Sequence, residues 1–198
     1  MVLEIPGGLF GSGGIFKPSP TDFDVMTLQG DRYVPVNLLT VPLKYPKTIT
    51  TEVSAGGTDW TNPNNVKSTD STYATNTVTL RKEDVIQLIL NGSRIGENKS
   101  KNTVVEFNVD TWRTYGGELD LWDYALTPQI LNNKNFGISI MYEVSGGGVG
   151  TYYLNATNFV FSIPQEAEII GLKANIMAKY SFTKLEVDAV RLKVYYTL

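Results

Sequence analysis

Apolar and polar residues alternate in several short stretches of the chain after Thr48. This spacing of two puts one set of side chains on each face of an extended strand, as in half-buried antiparallel sheets. The alternating apolar positions are Ile86, Leu88 and Leu90; Phe136, Ile138, Ile140 and Tyr142; Ile170, Leu172, Ala174 and Ile176; and Val190, Leu192, Val194 and Tyr196. Turn sequences such as Asn91-Gly92, Gly116-Gly117 and residues 145–148 separate these stretches. The pattern predicts an all-β fold, an antiparallel β-sandwich of jelly-roll-like architecture.

One helix start interrupts this pattern, at Thr127-Pro128. Threonine can cap the first turn of a helix, and proline fits the first helical position without losing a needed donor. Because Asn132 and Asn133 follow closely, the helix is expected to have only one or two turns.

The beginning of the chain has a different composition from the rest. Residues 6–14 contain five glycines, and five of the nine prolines lie between Lys17 and Pro46. Proline removes sheet hydrogen-bond donors and favours extended backbone, so this part is predicted to be an extended arm or an edge strand. We therefore predict two regions, an N-terminal arm over residues 1–47 and a sandwich domain over residues 48–198.

Exposed apolar side chains on an isolated arm would mark contact surfaces. The predicted assembly contacts of the arm are Phe10, Phe16, Phe23, Tyr33, Leu38, Leu39 and Val41. A sandwich also leaves edge strands that need shielding, and an arm crossing to a neighbouring copy would provide it. The chain is therefore expected to form a homo-oligomer, with a trimer favoured.

Composition narrows the chemistry. The chain has neither cysteine nor histidine, which removes disulfides, thiolate metal sites and the usual catalytic triads. With 17 basic and 20 acidic residues and a net charge of −3, nucleic acid is not expected as a partner. No stretch reaches the roughly 20 apolar residues of a membrane span, and the start lacks the features of a signal peptide. We expect no cofactor, no metal and no enzymatic activity.

Several phrases together resemble the jelly-roll-like β-sandwich domain of tailed-bacteriophage virion structural proteins. The phrases are Trp60 with Asn62-Pro63, Tyr73-Ala-Thr75, Gly92 to Gly96 with Asn98-Lys-Ser100, Gly116 to Trp122, Phe136-Gly137 and Val187-Asp188. The resemblance covers residues 58–198 and implies a decoration, collar or tail-associated protein. The strand phrase from Leu154 to Pro164 and its partner from Ala167 to Leu172 come later than in that domain, which implies a rearranged strand order.

Three local chemistries compete with structural interpretations of the same residues. Asp120 and Trp122, with Asp110 and Glu118, could line a hydrolytic cleft, but a packed Trp122 beside a turn capped by Asp120 is favoured. Loop oxygens of Asp59, Asn62, Asn64, Asn65 and Asp70 could hold calcium, although such residues also close long loops. Aromatic side chains of Trp112, Tyr115 and Tyr124 are the candidate glycan contacts.

These observations favour a non-enzymatic virion structural protein, first as a capsid decoration or cement protein anchored by its arm. A collar, tail or fibre-base position is the alternative within that class. A carbohydrate-binding module for host-surface glycan is the alternative from another class. The expected partners are phage capsid or tail proteins, and the expected location is the virion, assembled in the bacterial host cytoplasm.

Overall fold

The computed structural model describes residues 26–29, 32–35, 38–77, 81–144 and 150–198. The strands are β1 (Met26–Gln29), β2 (Arg32–Pro35), β3 (Leu39–Lys44), β4 (Thr48–Glu52), β5 (Ala74–Asn76), β6 (Arg81–Leu90), β7 (Ser93–Ile95), β8 (Thr111–Gly116), β9 (Phe136–Val144), β10 (Tyr153–Thr157), β11 (Glu168–Tyr180) and β12 (Leu185–Thr197). A 3-10 turn (Pro63–Val66) and a short helix α1 (Pro128–Leu131) complete these elements. The chain divides into two units, Met1–Leu38 and Leu39–Leu198.

The first unit contains an antiparallel hairpin. Strands β1 and β2 pair from Met26 opposite Pro35 to Gln29 opposite Arg32. The remaining strands belong to the second unit.

Two antiparallel sheets form the second unit, and the all-β sandwich predicted from the alternation is confirmed. The first sheet has the order β4-β10-β9-β6-β7, and the second has the order β3-β12-β11-β8, with β5 also paired to β12. Side chains from both sheets meet in one apolar core, including Ile86, Ile138, Leu172, Leu192 and Trp122. No helix in the described ranges is long and apolar enough to cross a membrane.

The predicted alternation holds along most strands, and it fails where a strand bulges. On β11, the register shifts between Ile169 and Gly171, so Ile170 is the extra residue and Ile169 is buried instead. A bulge places two residues of one strand opposite one residue of its neighbour. The predicted inward position of Ile170 is therefore wrong by one residue, whereas Leu172, Ala174 and Ile176 point into the core as predicted.

The predicted turn at Asn91-Gly92 and the predicted helix start at Thr127-Pro128 agree with the structure, and the predicted turn at residues 145–148 lies outside the described residues. Asn91 and Gly92, both with positive φ, join β6 to β7, as expected for a two-residue hairpin turn. The hydroxyl of Thr127 accepts a hydrogen bond from the amide of Ile130 at 3.3 Å, and Pro128 opens α1. The helix stops after one turn.

The boundary between arm and domain lies earlier than residue 47. Strand β3 pairs with β12 and forms an edge of the second sheet, with an irregularity opposite Leu192 and Val194 that includes Pro42. Because a proline lacks the ladder donor, an edge position with a bulge accommodates it. The extended edge-strand interpretation therefore applies to Leu39–Lys44, but this strand belongs to the sandwich, and along the sequence the first unit ends at Leu38.

Candidate functional site

The predicted assembly contacts are divided between the two units. Phe10, Phe16 and Phe23 lie outside the described residues. Tyr33 is on β2, where its backbone pairs with Leu28, and Leu38 is partly exposed at the end of the first unit. These five residues remain predicted contacts.

Leu39 and Val41 have a different environment from that of an arm. They lie on β3, opposite Tyr196 and Val194 of β12. Val41 is only 8% exposed and belongs to the apolar core, whereas Leu39 is partly exposed. Val41 therefore packs within its own sandwich, which removes it from the set of intersubunit contacts.

Tyr115 does not offer its ring to a glycan. Its side chain is 2% exposed in the core, and its hydroxyl donates a hydrogen bond to Oε1 of Glu83 at 2.6 Å. Burial raises the pKa of Tyr115 far above the ordinary tyrosine value, and the neighbouring Tyr142 and Glu83 add to the rise. The ring is therefore a structural element of the interior.

Glu83 connects the two sheets through a buried ion pair. Its carboxylate, fully buried on β6, also pairs with the guanidinium of Arg113 on β8 and accepts the amide N–H of Lys101 at 3.0 Å. Burial acts to lower the pKa of Arg113, but the hydrogen bond and charge of Glu83 outweigh it and leave that pKa raised. The carboxylate of Glu83 is closed off from solvent, the side chain of Arg113 is 11% exposed, and the two charges neutralise each other, so this ion pair links the two sheets.

Trp112 lies on the opposite, outward face of β8. Its ring is partly exposed, and the Cζ atom of Arg191 stands 3.6 Å from the ring centroid. Tyr45 flanks the same guanidinium at 6.0 Å. Of the three candidate glycan contacts, Trp112 is therefore the one that combines a partly exposed position on a strand face with an adjacent cation.

Tyr124 lies on the loop that follows β8, next to a shallow depression lined by Leu121, Asp123, Tyr124 and Ala125. The loop is held by Trp122, which is fully buried and donates its indole N–H to the carbonyl of Leu172 at 2.9 Å. Asp120 accepts the amide N–H of Trp122 at 2.8 Å, so the predicted packing and turn-capping roles are confirmed. Trp112 is not among the residues that line this depression, and it lies earlier in the chain, on β8.

Asp110 and Asp120, two of the carboxylates considered for hydrolysis, do not form a pair. Asp110 precedes β8 and Asp120 follows it, so an extended strand of roughly 20 Å separates them. Asp110 pairs with Lys179 at 3.2 Å, and Asp120 pairs with Lys99 at 3.0 Å. Each carboxylate therefore serves a local ion pair at its own end of the strand.

The oxygen-rich loop after β4 is closed by its own hydrogen bonds. Asp59 accepts the amide of Trp60, Asp70 accepts the hydroxyl of Ser68, and Asn65 donates to the carbonyl of Tyr73. Among the residues that the structure describes, no group of three or more acidic side chains is arranged to hold a metal ion. The loop-closing interpretation of these residues matches these contacts.

An exposed aromatic cluster was not predicted from the sequence. We call Phe107, Tyr180 and Phe182 the hairpin-tip cluster, because Phe182 lies on the turn between β11 and β12. Phe107 stands 5.1 Å from Tyr180 and 4.7 Å from Phe182, measured between ring centroids, and Phe182 is 79% exposed. The available signal was Ser181-Phe-Thr-Lys184, a short polar break with one phenylalanine between two long alternating stretches.

The buried Glu83–Arg113 pair was also missed. The sequence carries little sign of it, because the inward position of Arg113 on β8 follows from the pairing of β8 with β11.

Comparisons with known protein families, with characterised proteins and with solved structures give no match to this chain. The function of this chain is therefore inferred from its own residues and geometry.

Proposed function

We propose that this chain is a non-enzymatic structural protein of a bacteriophage virion, first as a capsid decoration protein. A collar, tail or fibre-base position is the alternative in the same class. The proposal is supported by the phrases that resemble the phage-particle sandwich, two of which, Gly116 to Trp122 and Phe136-Gly137, lie at the loop and inner strand that organise the core. Its partners would be capsid or tail proteins and further copies of the chain.

The observation that carries the proposal is the division of the chain at Leu38. The sandwich draws its core from Val41 to Val194 and so closes within Leu39–Leu198. Residues 1–38 form a separate unit. A self-sufficient domain with a separate leading segment suits a displayed protein that is anchored by the segment.

The hairpin-tip cluster supplies a second contact surface. Exposed aromatic groups of this kind mark contact sites more often than scattered apolar residues do. In the proposed assembly, residues 1–38 bind the particle and neighbouring copies, with three copies around a closed axis favoured. Stable attachment of this kind needs an interface of at least about 1,000 Å².

A truncation tests this division directly. A chain lacking residues 2–38 keeps β3 and should unfold at nearly the same temperature as the full chain. A chain lacking residues 2–46 also loses β3, which exposes the edge of β12, and should be clearly less stable. When each is produced in infected cells and the particles are purified, the full chain should appear in the virion and the chain lacking residues 2–38 should stay in the soluble fraction.

The outcomes separate two parts of the proposal. Full occupancy of the virion by the chain lacking residues 2–38 would overturn anchoring by the first unit and leave a virion location standing. Purified particles without any copy of the full chain would overturn the virion location itself.

A carbohydrate-binding module is the second candidate, and one observation favours it. The outward face of the second sheet carries the partly exposed ring of Trp112 beside polar side chains such as Thr114 and Asn175. Aromatic rings next to hydrogen-bonding groups are suited to sugar rings. Loss of glycan binding after Trp112→Ala, with retention after Tyr124→Ala, would assign the contact to this face.

A further inference from the structure

Three cations share the outward face of the second sheet. Lys173 of β11 and Lys193 of β12 are direct cross-strand partners, and Arg191 lies two residues before Lys193 on the same face. All three are partly exposed, and in the described part of the chain no carboxylate lies within 4.0 Å of any of them. Because like charges directly opposite each other destabilise a sheet, this arrangement carries a cost for folding.

Neighbouring aromatic rings keep two of these cations on the face. Arg191 stacks against Trp112 at 3.6 Å, and the ammonium group of Lys193 lies 4.8 Å from the ring centroid of Tyr195. Cation–π contacts of this type orient a charged group without neutralising it. The positive charge therefore remains available to an anion.

Unpartnered polar atoms lie among the same residues. The Tyr195 side chain is 1% exposed, and its hydroxyl has no hydrogen-bond partner among the described residues. Asn175 Oδ1 and Arg191 Nε also have no hydrogen-bond partner among the described residues, and these two residues lie directly opposite each other on β11 and β12. Buried polar atoms are normally satisfied, so these three atoms show that polar groups outnumber their protein partners beneath this face among the described residues.

We propose that the face formed by Lys173, Arg191 and Lys193 with Trp112 and Asn175 binds an anionic polysaccharide. The two lysines would receive carboxylate groups, while Asn175 and the ring of Trp112 would contact sugar hydroxyls and a sugar face. This inference deepens the second candidate function, on which it rests, and it is independent of a virion location.

Nucleic acid fits the same face less well. Sequence-independent binding to a phosphate backbone uses about 6–10 phosphate contacts, whereas this face offers three cations on a chain with a net charge of −3. A short acidic sugar chain needs only a few such contacts.

The test uses the full chain, polygalacturonate as the acidic polymer, a neutral dextran and a single-stranded DNA oligonucleotide, in titration calorimetry. Lys173→Glu should weaken polygalacturonate binding about tenfold or more, and binding to the unaltered chain should weaken as salt rises from about 0.01 to 0.15 M. The same variant creates an opposite-charge pair with Lys193, so its unfolding temperature should rise by about 1–2 °C. Lys134→Glu reverses one exposed charge before β9 and should leave binding unchanged.

The combination of stronger folding and weaker binding would show that Lys173 serves a ligand and not the fold. Equal loss in Lys173→Glu and Lys134→Glu, or no binding of polygalacturonate by the unaltered chain, would overturn the proposal. Binding of dextran alone would overturn the anionic ligand while keeping the carbohydrate-binding candidate. Binding of DNA with higher affinity than polygalacturonate would transfer the face to nucleic acid and overturn the sugar assignment.

Discussion

Replacing Arg113 with methionine tests whether the buried ion pair holds the two sheets together. The guanidinium of Arg113 is the only cation paired with Glu83 among the described residues, and its side chain is 11% exposed against 0% for that of Glu83. Methionine keeps the apolar stem and removes the charge. Among the described residues, the carboxylate of Glu83 would then keep only the hydroxyl of Tyr115 and the amide of Lys101 as hydrogen-bond donors.

The expected cost follows from this burial. Removing one partner from a buried ion pair costs about 3–5 kcal/mol, because an uncompensated charge stays in the interior. Arg113 also donates to the hydroxyl of Thr103 at 2.8 Å and to the carbonyl of Val104, so the loop 103–104 loses its tie to β8. We expect Arg113→Met to lower the free energy of unfolding by about 4 kcal/mol, a large part of a typical total of about 5–15 kcal/mol.

A second substitution isolates the charge. Glu83→Gln keeps one oxygen for the hydroxyl of Tyr115 and removes the negative charge, so the double variant should be about 2 kcal/mol more stable than the sum of the single effects predicts. Urea unfolding followed by tryptophan fluorescence measures these differences, since all three tryptophans lie in the sandwich. Arg94→Met is the matched control, because Arg94 pairs with a partly exposed Glu52 and should cost about 1 kcal/mol or less. A loss below about 1 kcal/mol for Arg113→Met, or strict additivity in the double variant, would refute the structural role of the buried pair.

Two further predictions concern packing and pH. Gly171→Ala should destabilise the fold by about 1–3 kcal/mol, because its added Cβ would clash with the carbonyl oxygen of Glu118, whereas Gly117→Ala meets no atom within 4 Å and should be nearly neutral in the same urea assay. Burial raises the pKa of the Asp188 carboxyl, with the amide of Asp70 opposing the rise. A raised carboxyl pKa means that the folded state holds its proton more tightly, so the contribution to stability is present below about pH 4 and is lost as pH rises through the folded-state pKa. Asp188→Asn should therefore raise the unfolding temperature near pH 7 and not near pH 3; an equal change at both pH values would contradict this.

The predictable parts of the fold are the strands and the helix start, whose formation depends on residues close together in the sequence. Alternation along β9 and β12 predicted strands, and Thr127-Pro128 predicted a helix start, because both signals are local. The bulge at Ile170 was not predictable, since it depends on how β11 meets β12 and on the carbonyl groups of the loop before Asp120 that cover Gly171. Ile169 and Ile170 thus look equivalent in the sequence, but Ile169 is buried and Ile170 is partly exposed.

The candidate surfaces were less predictable than the fold for the same reason. A tyrosine can be buried in the core, as Tyr115 is on β8, or remain partly exposed, as Tyr124 is on the loop that follows, and composition does not distinguish the two. Likewise, Lys173 and Lys193 are 20 positions apart in the numbering, and only the strand register makes them neighbours. Local sequence patterns therefore predict strands but do not determine which residues of distant strands pair with each other.

The hairpin of β11 and β12 controls both the core and the proposed surfaces. Between its two register shifts, at Ile169/Gly171 and Met177/Ala178, side chains alternate strictly, so Leu172 and Ala174 fill the core while Lys173 stands outward. A shift of one residue in this interval would move every side chain to the other face and bury a lysine. The apolar face thus fixes the register, and the register in turn brings the cations together. It follows that substitutions confined to outward positions between the bulges can change ligand binding without loss of the fold, whereas insertions there cannot.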